Sequence, residues 1–221
     1  PDFKILDGDD NGKLNFSEIT SYFKSAYDSK YDAGNADGFF KNMDKNSNGS
    51  ISIDEFKKSK MESPYQPNGT SILNAIQEAT NNKGLITYDP RAENLSKDNI
   101  IIAVVGENPY AEGIGDNPTI GLSSFDKNIL EKCYASGNQI VVIILSGRPL
   151  IIEDHISKWN GLIAAWLPGM AGEGVSDVLF GDYSPTAKLS FSWPRNTDQL
   201  PLNEGDQNYD PLFPFGHGLS Y

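Results

Sequence analysis

Two stretches of twelve residues, Asp7–Glu18 and Asp44–Glu55, constrain this chain more than any other feature. Each carries an oxygen-bearing residue at every second position and a glycine in the middle, a pattern that suits neither a helical face nor a buried strand. In the first, Asp7, Asp9, Asn11 and Asn15 offer side-chain oxygens, Lys13 offers its backbone carbonyl, and Glu18 closes the run. In the second, the same places hold Asp44, Asn46, Asn48, the carbonyl of Ser50, Ser52 and Glu55. Gly12 and Gly49 stand sixth in each. A calcium ion takes about six to eight oxygens in flexible geometry, with a bidentate glutamate last and a glycine at the sharp turn. Neither stretch offers a soft ligand, so the residues predict two Ca2+ sites.

This is the pattern of the EF-hand loop. The start-to-start spacing of 37 residues suits two hands packed face to face, and the apolar eighth positions, Leu14 and Ile51, are placed to pair as a short β-bridge. The competing reading, acidic Asn/Gly loops that merely turn, does not account for two full matches at pairing distance. The first loop has ligand carboxylates Asp7, Asp9 and Glu18, the second only Asp44 and Glu55, which predicts tighter binding in the first. Six residues precede Asp7, so the entering helix of that hand is short.

The 221 residues allow one mid-sized domain and a small one. A net charge of −12 argues against nucleic acid or an anionic membrane surface as partner, since both need a basic footprint. Cys133 is the single cysteine, so no intrachain disulfide forms. The apolar runs Ile100–Val105 and Ile140–Leu145 are strand-length and too short to span a bilayer. No signal peptide is visible, and a start at Pro1 suggests a processed product or a fragment.

Composition shifts at Ser63–Thr70, where two prolines and a glycine read as a linker. The expected domains are 1–63, an all-α calcium-binding pair, and 64–221. In the first, helical spacing covers Phe16–Tyr27, Ala33–Met43 and Ile53–Met61. In the second, strands are expected at Leu85–Tyr88, Ile100–Val105, Ile140–Leu145, Gly161–Trp166 and Lys188–Trp193. Helices are expected at Ser71–Thr80, Ser123–Ser136 (capped by Ser123 or Ser124), Ile151–Lys158 and Gly174–Phe180. The two β-branched runs read as strands buried on both faces. Alternation of this kind predicts an α/β fold, a three-layer sandwich on a mostly parallel sheet.

Ordered stretches of the second region resemble the C-terminal sandwich domain of glycoside hydrolase family 3, the family of β-glucosidases and exo-β-glucanases. They are Ala103-Val-Val-Gly-Glu-Asn-Pro-Tyr-Ala-Glu112, Gly115-Asp-Asn117, Leu145-Ser-Gly-Arg-Pro149, Ala164-Ala-Trp-Leu-Pro-Gly169, Asp177-Val-Leu-Phe-Gly-Asp182 and Phe215-Gly-His-Gly-Leu219. The resemblance begins at about Asn68-Gly-Thr-Ser-Ile-Leu73 and runs to the end, about 150 residues, and the details look most like the exo-β-glucanase branch. The resemblance implies hydrolysis of O-glycosidic bonds in β-glucosides or β-glucan oligosaccharides with retention. It also implies that Glu112 is the general acid/base, on a loop following a strand. A retaining mechanism needs a second carboxylate about 5–5.5 Å away. In this family that nucleophile comes from an N-terminal (β/α)8 barrel, which 221 residues cannot hold beside these two regions. The first part of the sandwich is missing too, so the sheet is expected to be incomplete at its N-terminal side. Such a chain requires a barrel domain in a longer chain or a separate subunit. The alternative is a non-catalytic calcium-binding module on a degenerate glycosidase-type scaffold. The family favours an extracellular or periplasmic setting.

Other residues read as structural. Glu107 sits close to a strand end, Arg148 anchors a loop, and Trp166, Trp193 and Cys133 pack in the core. His217 is expected to make a structural hydrogen bond and His155 to be exposed. Ser146 lacks a G-x-S-x-G context, and Gly169–Gly174 does not fit the dinucleotide fingerprint. Asn68-Gly-Thr70 and Asn94-Leu-Ser96 are glycosylation sequons.

Overall fold

The structure is a computed structural model that describes residues 2–28, 31–61, 69–81, 86–110 and 112–221, without the side chains of Met61, Glu112 and Ile114. The linker at 63–68, Leu85 and Asn68 lie outside the described residues. The chain forms two compact units. The first contains residues 1–68, 88–95 and 123–132, and the second contains 69–87, 96–122 and 133–221.

The first unit begins with α1 (Phe3–Leu6), whose first turn is capped by the Asp2 carboxylate accepting from the Lys4 amide. Then come β1 (Lys13–Leu14), α2 (Phe16–Tyr27), α3 (Ala33–Met43), β2 (Ile51–Ser52) and α4 (Ile53–Met61). Asn15 and Glu18 form a reciprocal capping box at the start of α2, satisfying two backbone donors that the helix leaves open. The helical spacing delivers Ile19, Phe23 and Ala26 to the buried side of α2. They join Phe3, Leu6, Leu14, Ala36, Met43, Ile51 and Phe56 in the buried interior of this unit. β1 and β2 pair antiparallel, with Leu14 opposite Ile51 and both side chains 0% exposed.

The second unit is α/β. It holds α5 (Ile72–Ala79), β3 (Ile100–Gly106), the C-terminal end of α6 (Ser124–Ser136), β4 (Gln139–Leu145), α7 (Glu153–Ile156), β5 (Gly161–Trp166) and α8 (Gly172–Phe180). The strands form one parallel sheet in the order β3-β4-β5, from Ile100 opposite Gln139 to Leu145 opposite Trp166. Central β4 is buried on both faces, through Ile140, Val142, Ile143 and Ile144. At the end of β3, Gly106 lies so close to Leu145 that an added Cβ would meet that residue's carbonyl oxygen at 1.9 Å, which excludes any side chain there. Ser123 caps α6 by accepting from the Asp126 amide.

Four expectations need correction. β3 is not buried on both faces. Among the described residues it has one strand neighbour, and alternate residues Ile100 and Val104 are 64% and 44% exposed while Ala103 and Val105 are buried. Residues 86–88 form no strand. The helix expected over 151–158 shrinks to Glu153–Ile156 because Ile151 is drawn into a bridge with Gly121. Lys188–Trp193 adds no strand to the sheet. Instead, Leu189 and Trp193 exchange backbone hydrogen bonds with Gly216, His217, Leu212 and Phe213 of the tail. Trp193 is 1% exposed, as a core residue should be, and donates its indole N–H to the Leu150 carbonyl at 2.8 Å.

Candidate functional site

The first loop is shaped by its own carboxylates. Asp7, 5% exposed, accepts from the Asn11 amide at 3.1 Å and from the Gly12 amide at 3.0 Å. Asp9 accepts from Asn11, Asn11 accepts from the Lys13 amide, and Glu18 reaches back across the loop to the amides of Gly8 (2.7 Å) and Asn15 (2.8 Å). Gly12 adopts φ +78°, the left-handed turn for which the sixth position needs glycine. The second loop repeats this wiring. Asp44 accepts from Asn48 and Gly49, Asn48 accepts from Ser50, and Glu55 accepts from Asn46 and Ser52.

Carboxylate oxygens of Asp7, Asp9 and Glu18 lie within 4.8 Å of one another. Two oxygens on opposite sides of a calcium ion at about 2.3–2.6 Å are about 4.6–5.2 Å apart, so this spacing fits a single hard cation. The electrostatics of the loop agree with the geometry. Burial raises the pKa of Asp7, and the nearby charges of Glu18 and Asp9 add to that rise against the Gly12 and Asn11 amides. Glu55 moves the other way, lowered chiefly by the Ser52 amide and hydroxyl. The first loop's three carboxylates are therefore brought together, while in the second Asp44 and Glu55 each hydrogen-bond to amides of their own loop.

Glu112 opens a 3-10 turn, Glu112–Gly115, after β3, and its side chain lies outside the described residues. The segment around it is held by a cluster at the C-terminal ends of β3 and β4. Arg148 donates to Glu107 from Nε at 3.0 Å and from a terminal nitrogen at 2.6 Å, and to the Gly115 carbonyl at 2.7 Å. Its guanidinium lies 4.5 Å from the centre of the Tyr110 ring. Ser146, 2% exposed, donates to the second Glu107 oxygen at 2.6 Å. The Tyr110 phenol is raised by burial and by the neighbouring Glu107 charge. Glu107 and Arg148 thus hold the loop, as their sequence positions suggested.

Sequence reasoning missed Arg91. Its guanidinium donates to the backbone carbonyl of Asp7 and pairs with Asp10 at 3.1 Å and Glu93 at 3.5 Å. No motif marks it, and it stands 84 residues from the loop it touches. His155 is half-buried rather than exposed, stacked on Trp159 with its ring near the Tyr134 hydroxyl. His217 stacks on Phe213.

The model of the glycosyl hydrolase family 3 C-terminal domain matches residues 33–221, and that of an EF-hand domain pair matches residues 3–59. A periplasmic β-glucosidase of Salmonella typhimurium is 29% identical over 196 residues, covering 69% of this chain and 26% of the relative. A xylan 1,4-β-xylosidase of Xylanibacter ruminicola is 37% identical over 116 residues, covering 48% of this chain and 14% of the relative. The crystal structure of an exo-1,3/1,4-β-glucanase from a Pseudoalteromonas species superposes with TM-score 0.64 at 41% identity, covering 70% of this chain and 21% of that one. The chain thus spans roughly a quarter or less of the length of these relatives.

Proposed function

Since this chain belongs to the glycosyl hydrolase family 3 C-terminal domain family and carries an EF-hand pair, we propose that it is the calcium-binding C-terminal portion of a β-glucosidase or exo-β-glucanase. Its substrates are β-glucosides or β-glucan oligosaccharides, which fit the names of its relatives. Glu112 is the general acid/base, and the nucleophile comes from a (β/α)8 barrel domain. The observation that carries this reading is the loop after β3. Glu107, Tyr110, Ser146 and Arg148 fix its two ends on the parallel sheet, where open α/β sheets place their ligands.

In the reaction, Glu112 protonates the departing glycosidic oxygen and then removes a proton from the attacking water. Glu107 is already committed to Arg148 and Ser146 and takes no part in proton transfer. The calcium ligands are Asp7, Asp9, Asn11, Lys13 (carbonyl), Glu18, Asp44, Asn46, Asn48, Ser50 (carbonyl) and Glu55. Bound calcium supplies a cross-link that holds each loop closed. The first loop binds more tightly, because it has the larger number of ligand carboxylates.

The test joins this chain to the barrel domain of a family 3 β-glucosidase and compares it with Glu112→Gln on two aryl glucosides. A dinitrophenyl leaving group needs no proton and a phenyl leaving group does. The reading expects Glu112→Gln to depress the phenyl substrate by about 10²–10⁴-fold and to spare the first step on the dinitrophenyl substrate. Equal losses on both, or none, would refute the role of Glu112.

A further inference from the structure

The contacts of Arg91 give the first calcium loop a partner that lies outside the EF-hand sequence. The Arg91 side chain is 15% exposed and donates to the main-chain oxygen of Asp7, the first residue of the loop, while its other terminal nitrogen pairs with Asp10 at 3.1 Å. Asp10 stands in the middle of the loop at φ +55°, a conformation rarely adopted by residues other than glycine. One planar guanidinium therefore grips the loop at two points, as a fork can and an ammonium cannot. The segment bearing Arg91 is itself anchored, because Lys132 of α6 donates to the Arg91 carbonyl at 2.9 Å and lies 3.9 Å from Glu93.

From this we infer that Arg91 is a positioning residue for the first calcium loop, and that calcium binding there and docking of residues 88–95 are one linked equilibrium. The inference rests on the reading of Asp7–Glu18 as a calcium loop. Arg91 touches no ligand oxygen; it holds the backbone of Asp7 and the turn at Asp10, so it acts through them. Repulsion between its charge and the ion is small, because Asp10 and Glu93 neutralise it where it stands. What removing it takes away is order in the loop. Neighbours that orient metal ligands typically contribute about 10–100-fold in metal affinity. Linkage also works in reverse, so an ion in the loop must tighten residues 88–95 by the same factor.

The test uses the whole chain, stripped of metal and titrated with calcium by calorimetry, for the wild type, Arg91→Ala and Arg91→Lys. Arg91→Ala should weaken the first loop about tenfold and leave the second within about twofold. Arg91→Lys should fall between, since it restores the ion pair to Asp10 without the second grip. Amide hydrogen exchange is read alongside. Calcium should slow exchange at Ala92 and Glu93 in the wild type, and this protection should be absent from Arg91→Ala. If Arg91→Ala binds as tightly as the wild type or more tightly, or if calcium leaves exchange at 92–93 unchanged in the wild type, the inference is wrong. Failure of the underlying calcium reading looks different: no heat of binding in any of the three proteins. The wild-type exchange measurement decides the matter even if Arg91→Ala does not fold.

Discussion

Ile51→Ala should unfasten the two loops from one another. Ile51 is 0% exposed and lies opposite Leu14, also 0% exposed, in the two-residue ladder that joins them. The substitution removes three carbons, which at about 0.8 kcal/mol per buried methylene is about 2.4 kcal/mol of lost burial. The cavity left in the cluster that holds Leu14, Ile19 and Phe56 adds to that, and buried Ile→Ala changes range over about 2–5 kcal/mol in all. A cost of about 3 kcal/mol corresponds to a roughly 150-fold larger open population and so to roughly 150-fold faster amide exchange. The two units make a single global transition a poor measure. The assay is therefore amide hydrogen exchange, without calcium, at Leu14 and at core positions of α2 such as Phe23. Trp159, Trp166 and Trp193 all belong to the second unit, so their fluorescence serves as a control that should not change. Faster exchange by less than about fivefold, equivalent to about 1 kcal/mol, would refute the claim that the Leu14–Ile51 pair holds the loops together. So would an equal loss of stability in the tryptophan signal.

Two further outcomes follow from the same geometry. Asp7→Asn removes a carboxylate whose pKa is raised by burial and by Glu18 and Asp9. In calcium-free buffer the wild type should therefore lose stability relative to the variant as the pH rises from the ordinary aspartate range, about 3.9, through the raised value. Thermal melts at several pH values check this, and a wild type that gains on the variant over that interval would contradict the sign. Arg148→Ala leaves Glu107 and the Gly115 carbonyl without their main donor. Because both side chains keep some solvent contact, at 24% and 13% exposure, the expected cost is about 2–3 kcal/mol rather than the larger value of a fully buried pair. Urea unfolding followed by tryptophan fluorescence measures it.

Much of this was legible in the sequence because it is local. The two EF-hand loops are fixed by residues within twelve positions of one another, and the Leu14–Ile51 bridge follows from their shared eighth place. The central strand β4 was readable from an unbroken apolar run. β3 carried the same signal, yet among the described residues it lies at an edge of the sheet and shows Ile100 and Val104 to solvent, because an apolar run does not record how many neighbours a strand has. Lys188–Trp193 alternates like a strand, but its hydrogen bonds go to the tail at Leu212–His217, a pairing set by tertiary contact. Arg91 was illegible for a similar reason. Its partners are Asp7 and Asp10, far away along the chain, and a lone arginine in a polar stretch has no periodicity to mark it.

The central claim is that both loops bind calcium, and calorimetric titration of the metal-stripped chain tests it most directly. Two ions per chain are expected, the tighter one lost in Asp7→Ala and the weaker one lost in Asp44→Ala. A chain that binds no calcium, or one that still binds two ions after both Glu18→Gln and Glu55→Gln, would contradict it.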